Sequence, residues 1–402
     1  MVTSTRSMNA PRDTAVSGSH LRMGVSSYRG CGAGSAPACP TLAATAPEPH
    51  PQPSSWRISL TGSAVMMGTM NDEELDGLDR SLIQALVIDG RAPFSRIAEV
   101  LDVSDQTVVR RYRRLRSAGL VRVVGLPVGS RVGLFESWLR IQCAPDAALP
   151  VAEALARRPD IAWVTLNSGG TEIHCMTRSR TRRDRDALLL DKLPRTRRVT
   201  GISAHTILRK FFGGPDAWAG VDELRPDQIA ALQRPPAEPG PQRYLLDAAE
   251  SALLAVLGRD GRAGYPELAR ATGLSESTAR RRLERLRDLG ALFFDVEFVP
   301  ELFGYEAEAT LVLTVPPARL AEVGNALAGH REVPFAAAVT GAASLMAVVV
   351  CRDTDALYTY LTEKIGAVDG VGRVEVIPAL RSVKRAGMLV EGGRLVDPPP
   401  AP

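Results

Sequence analysis

The sequence predicts an α+β protein of two tandem units, each a winged helix-turn-helix followed by a ferredoxin-like βαββαβ domain. Three observations predict it. First, 402 residues exceed one ordinary core and suit two to four domains. Second, Asp89-Gly90-Arg91-Ala92 recurs 171 residues later as Asp260-Gly261-Arg262-Ala263. At that offset, without gaps, Ala98 falls on Ala269, Ser104 on Ser275, Thr107 on Thr278, Arg110 and Arg111 on Arg281 and Arg282, Leu115 on Leu286, and Gly119 on Gly290. Third, each copy is followed by short strand patterns alternating with helical ones.

The expected segments are a disordered tail or mis-assigned start at 1–70, a helix-turn-helix domain at 73–127 and an α/β domain at 134–212. A Pro-rich linker at 213–243 leads to a second helix-turn-helix at 244–299, a second α/β domain at 305–386 and a tail at 387–402. The first 70 residues are rich in Ser, Ala, Pro, Gly and Thr without periodicity, and Met66, Met67 and Met70 stand just before the first ordered pattern. Six prolines between Pro215 and Pro241 give the connecting segment its linker character.

In the first copy Leu75, Leu78, Leu82, Ile83 and Leu86 recur at helical spacing and stop at Asp89-Gly90. A second helix follows Pro93-Phe94 with Ser95 as its expected N-cap and Ile97, Ala98 and Leu101 inward. After Asp102-Val103-Ser104 a third helix runs over 105–118, capped by Ser104. The second copy repeats this with Leu253, Leu254 and Leu257, then Leu268 and Ala269, the turn Gly273-Leu274-Ser275 and a helix over 276–289. Asp102 stands where the second copy has the turn glycine, Gly273.

On a helical wheel Val108, Tyr112 and Leu115 face inward, as do Ala279, Leu283 and Leu286. The opposite faces carry Gln106, Arg110, Arg113 and Arg114 in one copy and Ser277, Arg280, Arg281, Glu284 and Arg285 in the other. Arginine pairs bidentately with guanine and glutamine with adenine, and further cations neutralise phosphate, so these faces suit a DNA major groove. The candidate DNA contacts are Ser104, Gln106, Thr107, Arg110, Arg111, Arg113 and Arg114, with Ser275, Ser277, Thr278, Arg280, Arg281, Arg282 and Arg285. Behind each helix a glycine, Gly119 or Gly290, precedes a short β-rich run, 120–124 or 292–299, read as a wing or linking strand.

The α/β halves read as strand 138–143, helix 149–157, strands 161–166 and 172–176, helix 185–193 and strand 200–208. The second copy reads as 308–315, 318–328, 336–340, 345–351, 355–364 and 373–380. This order is a ferredoxin-like split βαβ arrangement. A basic run from Arg178 to Arg198 reads as a solvated face rather than a phosphate contact.

A helix-turn-helix opening with Asp-Gly-Arg, carrying Val103-Ser104 or Leu274-Ser275 before an arginine-rich helix, and followed by this α/β domain, resembles the leucine-responsive regulator/AsnC (Lrp/AsnC) family. The resemblance spans roughly 73–212 and 246–385. It implies RAM/ACT-like α/β domains that mediate oligomerisation and bind a small effector, often an amino acid, near the loop between the middle strands. Those loops supply the expected effector residues Gly169, Gly170, Thr171 and Glu172, and Gly341, Ala342, Ala343 and Ser344. The two sites differ. Two units in one chain are expected to pair as an intramolecular pseudo-dimer on double-stranded DNA, with further homo-oligomers open. Arg113 against Glu284 and Gln106 against Ser277 imply an asymmetric operator.

Other classes fare worse. A net charge of +4 is too mild to indicate a partner by itself. The five cysteines are scattered and odd in number, and the histidines lack ligand spacing, so neither a disulfide framework nor a metal centre is expected. His174 and Cys175 read as packing residues. No run of about 18 apolar residues exists for a membrane span, and residues 1–21 lack a signal-peptide core, so a cytoplasmic location is expected. No nucleophile–base set or phosphate loop appears, so no enzyme and no cofactor are expected. The rivals are an enzymatic or amino-acid-sensing α/β protein and an interaction protein whose helices no longer bind DNA.

Overall fold

A computed structural model describes residues 75–214, 218, 220–235 and 243–397; the segment 1–70, with its expected disorder, lies outside the described residues. Unit one opens with α1 (Gly77–Ile88), α2 (Phe94–Leu101) and α3 (Asp105–Ser117). It continues with β1 (Val121–Pro127), a short α4 (Gly129–Val132), β2 (Phe135–Cys143), α5 (Ala148–Ala156), β3 (Ile161–Asn167), β4 (Glu172–Ser179), α6 (Arg182–Asp186) and β5 (Val199–Phe212). α7 (Pro226–Leu232) lies between the units. Unit two has α8 (Ala248–Leu257), α9 (Tyr265–Thr272), α10 (Glu276–Asp288), β6 (Leu292–Phe298), β7 (Ala307–Leu313), α11 (Leu320–Ala328), β8 (Phe335–Val339), β9 (Leu345–Cys351), α12 (Thr354–Thr359) and β10 (Val374–Arg385). β11 (Met388–Glu391) and β12 (Arg394–Val396) close the described chain.

The helix starts follow from capping chemistry. Asp76 accepts the Asp79 amide at 2.9 Å and Asp79 reaches back to the Asp76 amide; Asp247 and Glu250 repeat this box on α8. Ser104 and Ser275 accept the amides of Thr107 and Thr278, both at 3.2 Å. Ser95 is not a cap. α2 starts two residues earlier, at Phe94 after Pro93, whose fixed φ sets the turn without any side-chain bond. At the helix turn Asp102 takes the left-handed conformation (φ 53°) that Gly273 takes in unit two (φ 68°). Val108, Tyr112 and Leu115, and Ala279, Leu283 and Leu286, are buried as the wheel requires.

Between wing and linking strand, the structure decides for linking. β1 pairs antiparallel with β6, with Val121 opposite Phe298 and Pro127 opposite Leu292, so Val124 faces Asp295 at the centre. Those two are equivalent positions of the repeat, so a pseudo-twofold axis passes through them. α1 packs on β6 and α8 on β1, each helix on the other unit's strand. The Asp-Gly-Arg motif makes this crossing. Arg91 donates to the carbonyls of Gly261 (2.7 Å) and Ala263 (3.2 Å), while Arg262 donates to those of Gly90 (2.7 Å) and Ala92 (2.9 Å). Arg116 pairs with Asp260 and Arg287 with Asp89, both at 2.8 Å. The glycines allow the approach: a Cβ on Gly261 would stand 2.9 Å from the Val124 carbonyl carbon, and one on Gly90 2.9 Å from Val123 Cγ1.

The α/β halves merge in the same symmetry. β3-β4-β2-β5 and β8-β9-β7-β10 form two four-stranded sheets. Each last strand is long enough to pair twice. β5 runs along β2 and then β8; β10 runs along β7 and then β3, which closes eight strands into a ring. One face of each sheet carries a helix-covered core, around Leu139, Ile141 and Ile173 in one unit and Leu311, Leu345 and Val349 in the other. The opposite faces meet inside the ring around Trp138, Met176, Met346 and Ile377.

Two expected boundaries are corrected. The linker at 213–243 carries α7, whose Leu232 is fully buried with Val221 and Leu224 in the first helix-turn-helix core, and Gln84 Oε1 accepts the Glu223 and Leu224 amides at 2.6 and 2.7 Å. Proline there starts a helix at its first position as well as stiffening a linker. The tail at 387–402 contains the β11–β12 hairpin, whose Met388 and Leu395 pack against Val124, Leu126 and Phe293 of the ribbon.

The close approach at Gly261 yields a test. Gly261→Ala should cost about 1–3 kcal/mol in urea unfolding, because its Cβ meets backbone. Gly77→Ala, with nothing within 4 Å, should be neutral or slightly stabilising. Equal midpoints for the two variants would contradict the interface.

Candidate nucleic-acid interface and ligand cavity

α3 and α10 are held against the first helix of their own head by part of their arginine set. Arg111 pairs with Asp76 at 2.5 Å and Asp79 at 3.0 Å, Arg114 pairs with Asp79, and Arg282 pairs with Asp247 and, at 3.9 Å, with Glu250. Arg111 and Arg282, expected on the groove face, are thus turned toward the capping carboxylates of α1 and α8. Asp79 is fully inaccessible, and a buried carboxylate left without a cation would be strongly destabilising, which draws the arginines to it. Gln106, Arg110, Arg113 and Arg114 on α3 remain exposed, as do Ser277, Arg280, Arg281 and Arg285 on α10. Ser104, Thr107, Ser275 and Thr278 join hydroxyls over the two helix starts. Arg280 lies over the Tyr265 ring and Arg285 over Tyr244, both at 5.8 Å. Glu284 is paired at 3.2 Å with Arg234 of the connecting segment. The two faces therefore differ in charge.

The expected effector loops sit at the seams of the ring. Gly169 and Gly170 form a tight turn at positive φ, and Thr171 Oγ1 donates to the Ser168 carbonyl. Glu172 is buried and committed, accepting from Arg140 Nε at 2.5 Å and Ser168 Oγ at 3.2 Å, with His174 Nε2 at 3.0 Å. Across the ring, His205 Nδ1 stands 2.6 Å from the Thr340 carbonyl and against Gly341; Ser344 Oγ bonds the Val315 amide and carbonyl. Ala342 is exposed and Ala343 half-buried against the ring interior. Neither Glu172 nor Ser344 offers a free group. The sequence reading gave both to the effector loops, with Glu172 also opening the strand at 172–176, but the strand pairing turns both side chains inward.

Sequence reasoning missed a cavity of about 220 Å³ between the ring interior and the β1–β6 ribbon. Trp138, Trp163, Met176, Phe335 and Met346 give it apolar walls. His174, expected as a packing residue, lines it, with its ring T-shaped to Trp138 at 5.0 Å and Nδ1 3.4 Å from Thr310 Oγ1. Arg178, from the run expected to be solvated, also turns in. It shares Glu136 Oε1 with Lys210, at 3.3 and 2.9 Å. Across the cavity Arg385 lies between Glu297 and Glu308, 3.2 Å from each. Asp295 also lines the cavity, its carboxylate accepting only the Val296 amide and forming no ion pair among the described residues. The available signal was two carboxylates in the otherwise apolar run Leu292–Phe298.

The cavity perturbs its acids. Burial, then neighbouring Glu297, pushes Asp295 up to about 7. Against burial that would raise it, bonds from His174 and Arg140 hold Glu172 down to about 2. Burial keeps His174 below its usual value. Glu172 thus contributes stability above its unfolded pKa of about 4.3, lost as pH falls toward 2. Asp295 behaves oppositely: its contribution is complete below about 3.9 and is lost as pH rises through about 7. Asp295→Asn should therefore gain a few degrees in Tm over the parent between pH 5 and pH 8, a gap that closes toward pH 4. A gap independent of pH would refute this placement of Asp295.

The profile of the AsnC-type helix-turn-helix domain matches residues 75–116 and 246–287, and that of the Lrp/AsnC ligand binding domain matches 308–389. An uncharacterized HTH-type transcriptional regulator of Pyrococcus abyssi is 35% identical over 147 residues, which cover 36% of this chain and 92% of that protein. One of Pyrococcus horikoshii is 33% identical over 150 residues, 37% of this chain and 94% of that protein. Among solved structures, the siroheme decarboxylase NirDL aligns with a TM-score of 0.52 at 15% identity, covering 77% of this chain and 93% of its own. AsnC of E. coli aligns at 28% identity over 34% of this chain and 94% of its own, with a TM-score of 0.32. With a DNA-binding helix-turn-helix in each unit and a ligand-binding domain behind the second, this chain belongs to the Lrp/AsnC family of HTH-type transcriptional regulators.

Proposed function

We propose that a single chain is the DNA-reading unit, an intramolecular pseudo-dimer acting in the cytoplasm whose two unlike heads bind an asymmetric operator under control of a small effector. The observation that carries this is the exchange of Arg91 and Arg262 about the Val124–Asp295 pair, which places two helix-turn-helix heads on one pseudo-twofold axis without a second chain. Two heads so related suit half-sites about one helical turn apart. The unpaired groove-facing set reduces to Gln106, Arg110 and Arg113 in one head and Ser277, Arg280, Arg281 and Arg285 in the other, because Arg111, Arg114 and Arg282 pair with carboxylates at the first helix of their own head.

Genomic fragments selected by the protein should contain such paired, non-identical half-sites and bind one chain per duplex in light scattering. Arg110→Ala and Arg281→Ala should each weaken binding about 5- to 150-fold and make the salt slope shallower by about one. Retention on DNA that is insensitive to salt and unchanged in both variants would overturn this reading. Arg111→Ala should instead lower stability by about 1–3 kcal/mol, since it leaves buried Asp79 with one cation fewer.

A catalytic reading comes second, because NirDL shares the two-unit fold and the cavity holds His174, Lys210 and Asp295. Against it, about 220 Å³ is small for a tetrapyrrole. Titration with iron-uroporphyrin should leave its absorption band unshifted; a stoichiometric shift abolished by Lys210→Met would favour catalysis.

A further inference from the structure

Each reading head is seated on the α/β domain of one unit. The head of α8, α9 and α10 sits on unit one: Val132 of α4 packs against its core, and the Tyr244 amide donates to the Arg131 carbonyl at 2.8 Å. The head of α1, α2 and α3 sits on unit two, where Val299 and Phe303 enter its core. At the edge of the first seat Arg180 Nη1 donates to Ser251 Oγ of α8 at 3.2 Å. Ser251 lies one helical turn, about 5.4 Å, from Asp247, the cap that Arg282 of α10 grips. Arg180 therefore stands close to the support of a recognition helix, and it begins a basic stretch.

That stretch belongs to one unit alone. From Arg180 to Arg198 the chain carries eight cations and three carboxylates, whereas the equivalent stretch of unit two, Arg352 to Gly370, carries two and four. Thr181 and Asp353 cap α6 and α12, and Leu139–Cys175 and Leu311–Ala347 pair at the same register, so the two stretches correspond in the fold as well. All three carboxylates of the basic stretch are committed. Asp184 accepts from the Thr181 amide and hydroxyl, Asp186 pairs with Arg185 at 3.0 Å, and Asp191 faces Arg195 at 4.0 Å. Arg182, Arg183, Lys192 and Arg197 are exposed and form no ion pair among the described residues. In unit two Glu332 takes Lys364 at 2.7 Å, and it is Asp355 and Glu363 that stand exposed without a cation.

The basic stretch also has a direction. Ser179, just before it, pairs with Phe135 at the start of β2, directly after α4 and its seat; Val199, just after it, pairs with Cys143 at the other end of that strand. Along the nine residues of β2, a rise of roughly 27 Å, the free cations run down the flank of unit one away from its head. An ordinary solvated face intersperses both signs, and unit two shows that the fold does not need this excess. A DNA duplex, with one negative charge per about 1.7 Å of axis, is the polyanion held beside it.

We propose that the α6 flank of unit one is a second DNA-binding surface. Duplex leaving the half-site read by α10 bends down over it, its phosphates meeting Arg180, Arg182 and Arg183 and then Lys192 and Arg197. Duplex leaving the α3 half-site meets the acidic flank of unit two and continues straight. The proposal rests on the regulator reading above, from which its test separates it.

The test takes a genomic fragment selected by the full chain, trims it to its two half-sites, and extends it by about two helical turns of mixed sequence on one side or the other. Loss of footprint over one half-site in Arg281→Ala identifies the α10 side. Binding is measured near physiological salt, where fields beyond about 8 Å are screened. Extension on the α10 side should tighten binding at least tenfold, steepen the salt slope by about two and bring the duplex ends closer in energy transfer; extension on the α3 side should do none of these. Arg182→Glu combined with Arg183→Glu should abolish the gain while the trimmed duplex binds as it does to the parent. Equal affinity for the two extensions would overturn the proposal, as would a gain that survives in the double variant. Weakening of the trimmed duplex to the same degree would reduce the flank to general attraction, and a smaller free protein in light scattering would make it an interface between copies; either result overturns the proposal. Failure of the parent to hold even the trimmed duplex would sink the regulator reading with it.

Discussion

The structure depends on one constraint: two backbones must approach within contact at the Asp-Gly-Arg corners. Once Gly90 and Gly261 let the corners close, each arginine reaches across to carbonyls that helix and strand leave unpaired. Those carbonyls accept from the other unit's arginine, so each unit completes the other's hydrogen bonding. The ribbon β1–β6, the crossing of α1 and α8 onto foreign strands, and the closure of the ring by β5 and β10 all obey the same axis. Neither unit would bury its ribbon strand alone.

Covalent linkage changes what that axis permits. A homodimer must place identical residues on both sides of its twofold, so any charge on the axis meets its like. Here Asp295 faces Val124, and Lys210 has Ser382 as its counterpart. The duplicated chain can therefore carry a dipolar cavity and two unlike reading faces, neither of which a symmetric dimer can build. Joining the units also holds the second head at high effective concentration near the first.

The repeat, the helix order and the inward faces of α3 and α10 were legible because they rest on local spacing: Val108, Tyr112 and Leu115 are buried where the wheel puts them. The left-handed turn at Asp102 was legible through its glycine counterpart. Pairing partners were not, since a short β-rich run such as β1 or β6 reads the same for a wing as for a cross-unit ribbon. Nor was the fate of Arg111, because nothing in a helical wheel distinguishes an arginine facing a groove from one facing Asp79. The effector loops were placed by position along the chain, whereas the inward turn of Glu172 depends on Arg140 one strand away. The cavity escaped for the same reason: its walls come from both units and the ribbon, brought together only by closure of the ring.

The ribbon also answers how a cavity can matter to a reading head. β6 lines the cavity along Phe293–Phe298, with Asp295 and Glu297 as its polar groups, and also sends Val296 and Phe298 into the core of the first helix-turn-helix. The same strand is thus both cavity wall and helix support. α1 rests on that strand, and α3 is pinned to α1 through Asp79. A change in charge or occupancy beside Asp295 therefore acts on a strand one layer from the recognition helix. Because Val124 and Leu126 occupy the equivalent places in β1, packing against the β11–β12 hairpin, the second head has no matching polar contact. The polar contact between cavity and reading head is one-sided, made on the strand that carries α1 and not on the one that carries α8.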